Sequence, residues 1–372
     1  MTTAAPRFRI FASCDIGDEA FQILRNRGYE VEVYPNPAPP PKSLIIEKVR
    51  SGIDGLITTL RDRIDAEVFE AGRGSLKVVS QYAVGFDNIS RADANRFKIP
   101  FTNTADVLTE ATAEFALLIL GDAARRLFPS ERLVRDNHWG TWHPYLPFLG
   151  DEVTGKTIGV IGTGRIGQAF MKKAVGFDVS FLCHDAEFEQ QDFTRKIQED
   201  MDLRFRHGFT SEQRTVRYAS FEEVLRDSDF VSLHVPLIRQ GEGKFPTFHL
   251  FNDRTFRMMK PTAFLINTSR GPVVDERDLV TALRGGVIAG AALDVFEKEP
   301  LPPDSPLRDP KLENRLRLFS HFASAGRVTR LSTDPNKGMA GRCIQGLIDV
   351  LERDHGGDPA SMPYVVNKEA FR

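Results

Sequence analysis

Three groups of residues in this chain have types and spacings suited to chemistry. The first is Gly162-Thr163-Gly164-Arg165-Ile166-Gly167, which follows the β-type run Thr157 to Ile161 and precedes a helical stretch, QAFMKKAV. Gly162 allows a tight turn, Gly164 lets the backbone approach a pyrophosphate, and Gly167 lets the helix pack closely on the strand. The N–H groups at the helix start attract phosphate. Asp185, eighteen residues past the last glycine, stands where an acid can accept a hydrogen bond from an adenosine ribose. Negative charge there repels a 2′-phosphate, so the pattern predicts NAD(H), with NADP(H) disfavoured. The second group is Arg270, delivered by the buried run Ala263 to Asn267 through Thr268 and Ser269. An arginine there can clamp a carboxylate with two parallel hydrogen bonds, although an arginine in such a loop is ordinarily a solvated charge. The third is the acid pair Glu297 and Glu299 after the run Ala289 to Leu293, followed by His321 among small residues. A lone histidine of this kind is as readily structural. Arginine, acid and histidine at the ends of successive strands, downstream of a dinucleotide turn, instead suggest carboxylate binding joined to proton transfer. Val235 and Pro236, after another strand, and Thr268 and Ser269 are further candidate cofactor contacts.

Strand-like and helix-like segments alternate along the chain and must position these groups. Phe8 to Ala12, Val31 to Tyr34, Gly55 to Thr59, Leu76 to Gln81 and Phe101 to Thr104 read as strands of a first series. Thr157 to Ile161, Val179 to Cys183, Phe230 to His234, Ala263 to Asn267, Ala289 to Leu293 and Arg317 to Phe319 form a second. This rhythm predicts parallel sheets covered by helices. Between the series lie a helix from Thr109 to about Phe128, whose apolar middle predicts burial between them, and the aromatic loop His138 to Gly150. A last helix spans Arg342 to Leu351. The charged segment 187–217 and the polar segment 239–249 read as surface insertions.

The chain has 372 residues, which at roughly 150 per domain predicts two to three domains. Its 49 basic and 51 acidic side chains leave a net charge of −2, with no basic excess for a nucleic acid. No apolar run approaches the roughly 20 residues of a membrane helix, and Arg7 and Arg9 break any signal-peptide core. Cys14, Cys183 and Cys343 are scattered, without metal spacing, and read as reduced thiols of a cytoplasmic protein.

Taken together, the motifs resemble the D-isomer-specific 2-hydroxyacid dehydrogenases, and within them the glyoxylate/hydroxypyruvate reductases. The resemblance runs through VGFDNI (Val84 to Ile89), VLTEATAEFAL (Val107 to Leu117), WHP (Trp142 to Pro144) and LGDEVTGKTIGVIGTGRIGQA (Leu149 to Ala169). It continues through MKPTAFLINTSRGPVVDE (Met259 to Glu276), IAGAALDVFEKEP (Ile288 to Pro300), HFASA (His321 to Ala325) and VVNKEAF near the end. It implies two doubly wound, parallel-sheet α/β domains of Rossmann and flavodoxin type with a cleft between them. The substrate domain is expected at 1–106 with 322–372, and the NAD-binding domain at 107–321. By resemblance the catalytic arginine is Arg270, the acid is Glu299, which immediately precedes Pro300, and the histidine is His321. Val84 and Gly85 N–H groups then hold the substrate carboxylate, and Asp294 holds the nicotinamide carboxamide. Leu60 and Trp142 wall the pocket, the latter in the family's manner from a partner subunit. The helix from Thr109 and the loop around Trp139 and Trp142 resemble a dimer arm, implying a homodimer; a packed lid is the other reading of that loop.

The resemblance implies reduction of a small 2-keto acid, glyoxylate or hydroxypyruvate, by NADH with His321 as proton donor. Glu299, rather than a glutamine, argues against the formate-oxidising branch. The chain departs from the family pattern at Ser320, Gly326 and Ala105, and in segments 187–217, 239–249 and 330–337. A dehydrogenase for a larger acid of the phosphoglycerate or 2-keto-gluconate type is an alternative, for which Arg61 and Arg63 are the candidate extra cations. The absence of a further domain after Pro363 weakens the phosphoglycerate form of it. A non-enzymatic, NAD-sensing corepressor-like protein is the alternative from another class, weakened by the lack of a long tail after Asn367.

Overall fold

The computed structural model describes residues 6–145 and 149–372. The chain forms two compact units, Met1–Leu108 with Ala325–Arg372, and Thr109–Ser324. The first holds β1 (Arg9–Ala12), β2 (Glu30–Val33), β3 (Gly55–Thr58), β4 (Val78–Gln81) and β5 (Phe101–Thr102). They pair in parallel in the order β2-β1-β3-β4-β5, the flavodoxin-like arrangement. Apolar layers cover both faces. One is built from Ile10, Ile57, Val78 and the Met339–Leu351 helix, and the other from Phe11, Leu56, Val79 and Phe69.

The second unit holds β6 (Thr157–Ile161), β7 (Ser180–His184), β8 (Val216–Tyr218), β9 (Phe230–Leu233), β10 (Phe264–Asn267), β11 (Gly290–Leu293) and β12 (Leu316–Leu318). All pair in parallel, in the order β12-β11-β10-β9-β6-β7-β8. Counted from β6, this is the Rossmann order with a seventh strand added, and the order reverses between β6 and β9. The strands β3, β9, β10 and β11 are buried throughout, as sheets covered on both faces require.

Two expectations need correction. The helix begun at Thr109 ends at Arg125, because Arg126 adopts a left-handed backbone (φ 54°) and a second helix, Leu127–Arg135, restarts beyond it. The apolar stripe of the first, Ala113, Ala116, Ile119, Leu120 and Ala123, is buried in the second unit's own core rather than between the two series. Segment 187–217 is not mere surface either. It contains the Gln191–Arg206 helix, which buries Thr194, Ile197 and Met201, and it leads into the edge strand β8. Its high charge hid a stripe of apolar residues at three- and four-residue spacing. No helix among the described residues is long and apolar enough to cross a membrane. The three cysteines are unpaired, and burial pushes each thiol up to about 12, which makes them inert.

Candidate active site

The glycine turn follows β6 at the point where strand order reverses, where open α/β sheets bind ligands. Gly162 has φ 91°, and a Cβ there would lie 2.8 Å from the His234 carbonyl oxygen. A Cβ on Gly167 would lie 2.2 Å from the Gly162 oxygen, so the Arg165–Ala174 helix packs directly on the turn. A Cβ on Gly164 would meet nothing within 4 Å, and no side chain caps the helix that starts there. The approach to these first N–H groups is therefore open on the side a phosphate needs. The Thr268 hydroxyl is buried without a hydrogen-bond partner, a polar atom suited to a ligand at the end of β10. These features fit a dinucleotide. Val235 lies against Gly162, while Pro236 is exposed and its carbonyl accepts from the Thr247 hydroxyl at 2.6 Å.

Asp185 comes immediately after β7. Its Oδ2 accepts from the Thr163 N–H (2.8 Å) and hydroxyl (3.1 Å), and its Oδ1 from the N–H groups of Glu187 and Phe188. Burial alone would raise this carboxyl, but the four donors outweigh it and hold Asp185 below the usual carboxylate range. The charge expected at the ribose end is thus secured. Tyr218, at the end of β8, extends the network by donating to the Thr163 hydroxyl at 2.8 Å while accepting from the Gln190 N–H. Tyr218 carries no signal in the sequence, because the segment 187–217, read as an insertion, takes in the first two residues of β8.

Arg270, Glu299 and His321 follow β10, β11 and β12, three neighbouring strands, all beyond their C-terminal ends. His321 Nδ1 donates to Glu299 Oε2 at 2.8 Å, and the other carboxylate oxygen accepts from the Phe296 N–H at 3.0 Å. A carboxylate only accepts, so Nδ1 carries a proton and exchange with any substrate falls to Nε2. His321 adopts φ 55°, in the left-handed region. Its N–H donates to the Asp294 carbonyl, and the next two, of Phe322 and Ala323, reach the two Asp294 carboxylate oxygens at 2.6 and 2.8 Å. Asp294 is fully buried, which raises its carboxyl despite these donors. The resemblance gave Asp294 to a nicotinamide carboxamide. In the structure each of its oxygens accepts one backbone N–H beside His321, which leaves acceptor capacity on both. His234, also at this edge of the sheet, is pushed down to about 3 by burial and is no proton donor near neutrality.

Arg270 donates to the Ser269 carbonyl at 2.8 Å, and its own carbonyl accepts from the Asn267 side chain at 3.0 Å. The same Asn267 takes the Ser269 N–H and hydroxyl, closing the turn. A Cβ on Gly271 would stand 1.9 Å from the Phe296 carbonyl carbon and oxygen, so the arginine's loop touches the backbone that leads to Glu299. Glu276 and Glu297 strengthen that contact, each carboxylate accepting the other's N–H at 3.0 and 2.7 Å. Glu297, the acid passed over in favour of Glu299, is thus a brace.

In the first unit, Val84 and Gly85 follow β4 and Leu60 follows β3, again at C-terminal strand ends. Trp142 is 76% exposed, as is much of its loop, so it packs into no wall or lid of its own chain. Leu146 to Phe148 of that loop lie outside the described residues.

Residues 117–323 match the model of the D-isomer specific 2-hydroxyacid dehydrogenase, NAD binding domain. The chain belongs to the D-2-hydroxyacid dehydrogenase family. It is 43% identical over 323 residues to a glyoxylate reductase of Korarchaeum cryptofilum, covering 87% of this chain and 88% of that one. With the glyoxylate reductase of Pyrococcus horikoshii it shares 39% over 368 residues, covering 98% and 97%. Among solved structures, the TT0316 protein from Thermus thermophilus superposes with a TM-score of 0.79 at 36% identity, covering 96% of this chain and 99% of that one. An NADPH-dependent glyoxylate/hydroxypyruvate reductase from Sinorhizobium meliloti, in complex with NADP and malonate, gives 0.74 at 26%, covering 98% of each. This family member is therefore an oxidoreductase that binds a nicotinamide dinucleotide and reduces a 2-keto acid.

Proposed function

We propose that the protein is an NADH-preferring reductase of glyoxylate or hydroxypyruvate, with His321 as its proton donor. What carries the reading is the 2.8 Å pairing of His321 with Glu299 beside the strand that delivers Arg270. The dinucleotide, when bound, supplies hydride to C2 of the keto acid. Arg270 bridges a carboxylate oxygen and the carbonyl oxygen, orienting the substrate and stabilising the charge that develops there. The N–H groups of Val84 and Gly85 take the carboxylate. His321 passes the proton on Nε2 to the former carbonyl oxygen, and Glu299 steadies the imidazolium through Nδ1. One hydride and one proton are consumed for each 2-hydroxy acid formed. NADH oxidation measured with a panel of 2-keto acids, in parallel with NADPH, tests the reading; turnover confined to larger or phosphorylated acids would overturn it. The exposed Leu118, Leu127, Val134, Trp139 and Trp142 support a homodimer formed through this region.

Two results are expected from this assignment. Glu299→Gln removes the carboxylate that holds His321 Nδ1, so kcat is expected to fall by about tenfold or more with NADH affinity retained, and an unchanged kcat would contradict the pairing. Asp185→Ser removes the charge that opposes a 2′-phosphate. The KM ratio of NADPH to NADH then falls by about tenfold or more, the size set by one charge contact. The check is paired titration of the two cofactors.

A further inference from the structure

The segment after β4 has an arrangement of hydrogen bonds that the sequence did not disclose. Three successive carbonyls are each held. The Ala83 oxygen accepts from the Thr104 N–H at 3.0 Å, Val84 from the Asn103 side-chain Nδ2 at 2.8 Å, and Gly85 from the Gln81 Nε2 at 3.1 Å. In a trans peptide the N–H of the next residue points opposite to the carbonyl. Holding these three oxygens therefore fixes the outward direction of the N–H groups of Val84, Gly85 and Phe86. Neither the Val84 nor the Gly85 N–H donates to a protein acceptor among the described residues. One dipeptide beyond β5, Asn103-Thr104, thus sets the two N–H groups that the proposed function uses.

The clamp is itself anchored. Gln81 is fully buried and also donates to Asn88 Oδ1 at 2.7 Å. Asn88 Nδ2 donates to the carbonyls of Thr59 and Asp62 at 3.0 and 2.8 Å, on either side of Leu60. The Leu60 turn and the Val84-Gly85 segment are therefore joined through the side-chain amides of Gln81 and Asn88. Amides suit the task. They donate to a carbonyl without placing a cation or an anion beside the incoming carboxylate.

We infer that Asn103 is a positioning residue for the substrate carboxylate, acting through the Val84 carbonyl to aim the Gly85 N–H, with Gln81 holding the following peptide. This rests on the reading that Val84 and Gly85 bind that carboxylate. A pre-aimed donor does not have to reorganise when the anion arrives, so the effect belongs to substrate affinity and not to cofactor affinity.

The test uses the full chain, oxamate as a non-reducible carboxylate probe, and Asn103→Asp, which keeps the shape but sets an acceptor against the Val84 carbonyl. The inhibition constant for oxamate and the KM for glyoxylate are expected to rise about tenfold, as for loss of a hydrogen bond to a charged group, with NADH affinity by fluorescence titration unchanged. Asn103→Ala serves if the aspartate variant does not fold. In the unaltered protein, labelled with ¹⁵N-glycine, the Gly85 amide resonance should shift on oxamate addition in the presence of NADH. A shifting Gly85 resonance with an unchanged inhibition constant in the variant overturns the role of Asn103 and leaves the carboxylate site standing. A Gly85 resonance that ignores oxamate overturns the carboxylate site and the inference with it. Loss of NADH affinity by the same factor overturns the inference in favour of general damage to the fold.

Discussion

Arg270→Ala is expected to lower kcat/KM for the keto acid by about 10²- to 10³-fold, the range for deleting a donor that faces developing oxyanion charge. Arg270 lies on a partly exposed turn whose shape comes from Asn267, Ser269 and the close contact of Gly271 with Phe296. Removing the guanidinium leaves these in place, so stability and NADH binding should be retained. Arg270→Lys should recover only part of the loss, because an ammonium keeps the charge but cannot span carboxylate and carbonyl oxygens as a planar fork does. Steady-state NADH oxidation with glyoxylate measures both variants. Full activity in the alanine variant would remove Arg270 from the mechanism.

Loss of the proton donor should be as severe. His321→Asn is expected to reduce kcat by roughly 10²- to 10⁴-fold while sparing NADH affinity. Asparagine is the informative replacement because residue 321 holds φ 55°, a conformation asparagine tolerates better than alanine. The loop pinned by Asp294 then survives, and the measurement reports proton transfer and not backbone strain. An unchanged kcat would point to another donor; His234, held neutral by its surroundings, is not the one.

Much of the fold was legible because its strands are short apolar runs bounded by turns, and β6 was located to the residue. The glycine turn was legible too, since each of its three glycines answers a separate steric demand. Strand β8 was not, because its alternation runs over only three residues, too few to mark a strand. The break at Arg126 was equally hidden, as a left-handed residue between two helical runs leaves no periodicity signal. In the candidate site, the acid, the arginine and the histidine could be picked out by residue type and by their place after strands. Their supports could not. Asn103, Gln81 and Tyr218 act through hydrogen bonds to partners distant in sequence or to backbone atoms, and no spacing announces such contacts. Asp294 has a support role of the same hidden kind. Its position matched a cofactor contact, while its buried carboxylate is engaged by the backbone beyond His321.

The first unit is discontinuous, with Thr109–Ser324 set into it, and this orders events during synthesis. Its sheet is complete in sequence by Thr102, yet one face of that sheet needs Ala340, Ile344, Leu347 and Ile348 from the Met339–Leu351 helix. At ribosomal rates the intervening stretch of roughly 240 residues takes about ten to fifty seconds to emerge. Until that helix emerges Ile10, Ile57 and Val78 lack part of their cover, whereas the inserted unit has its last strand, β12, complete at Leu318, before the helix is made. The later-made half is thus the first able to mature, and the nascent amino-terminal sheet is the natural client for a chaperone.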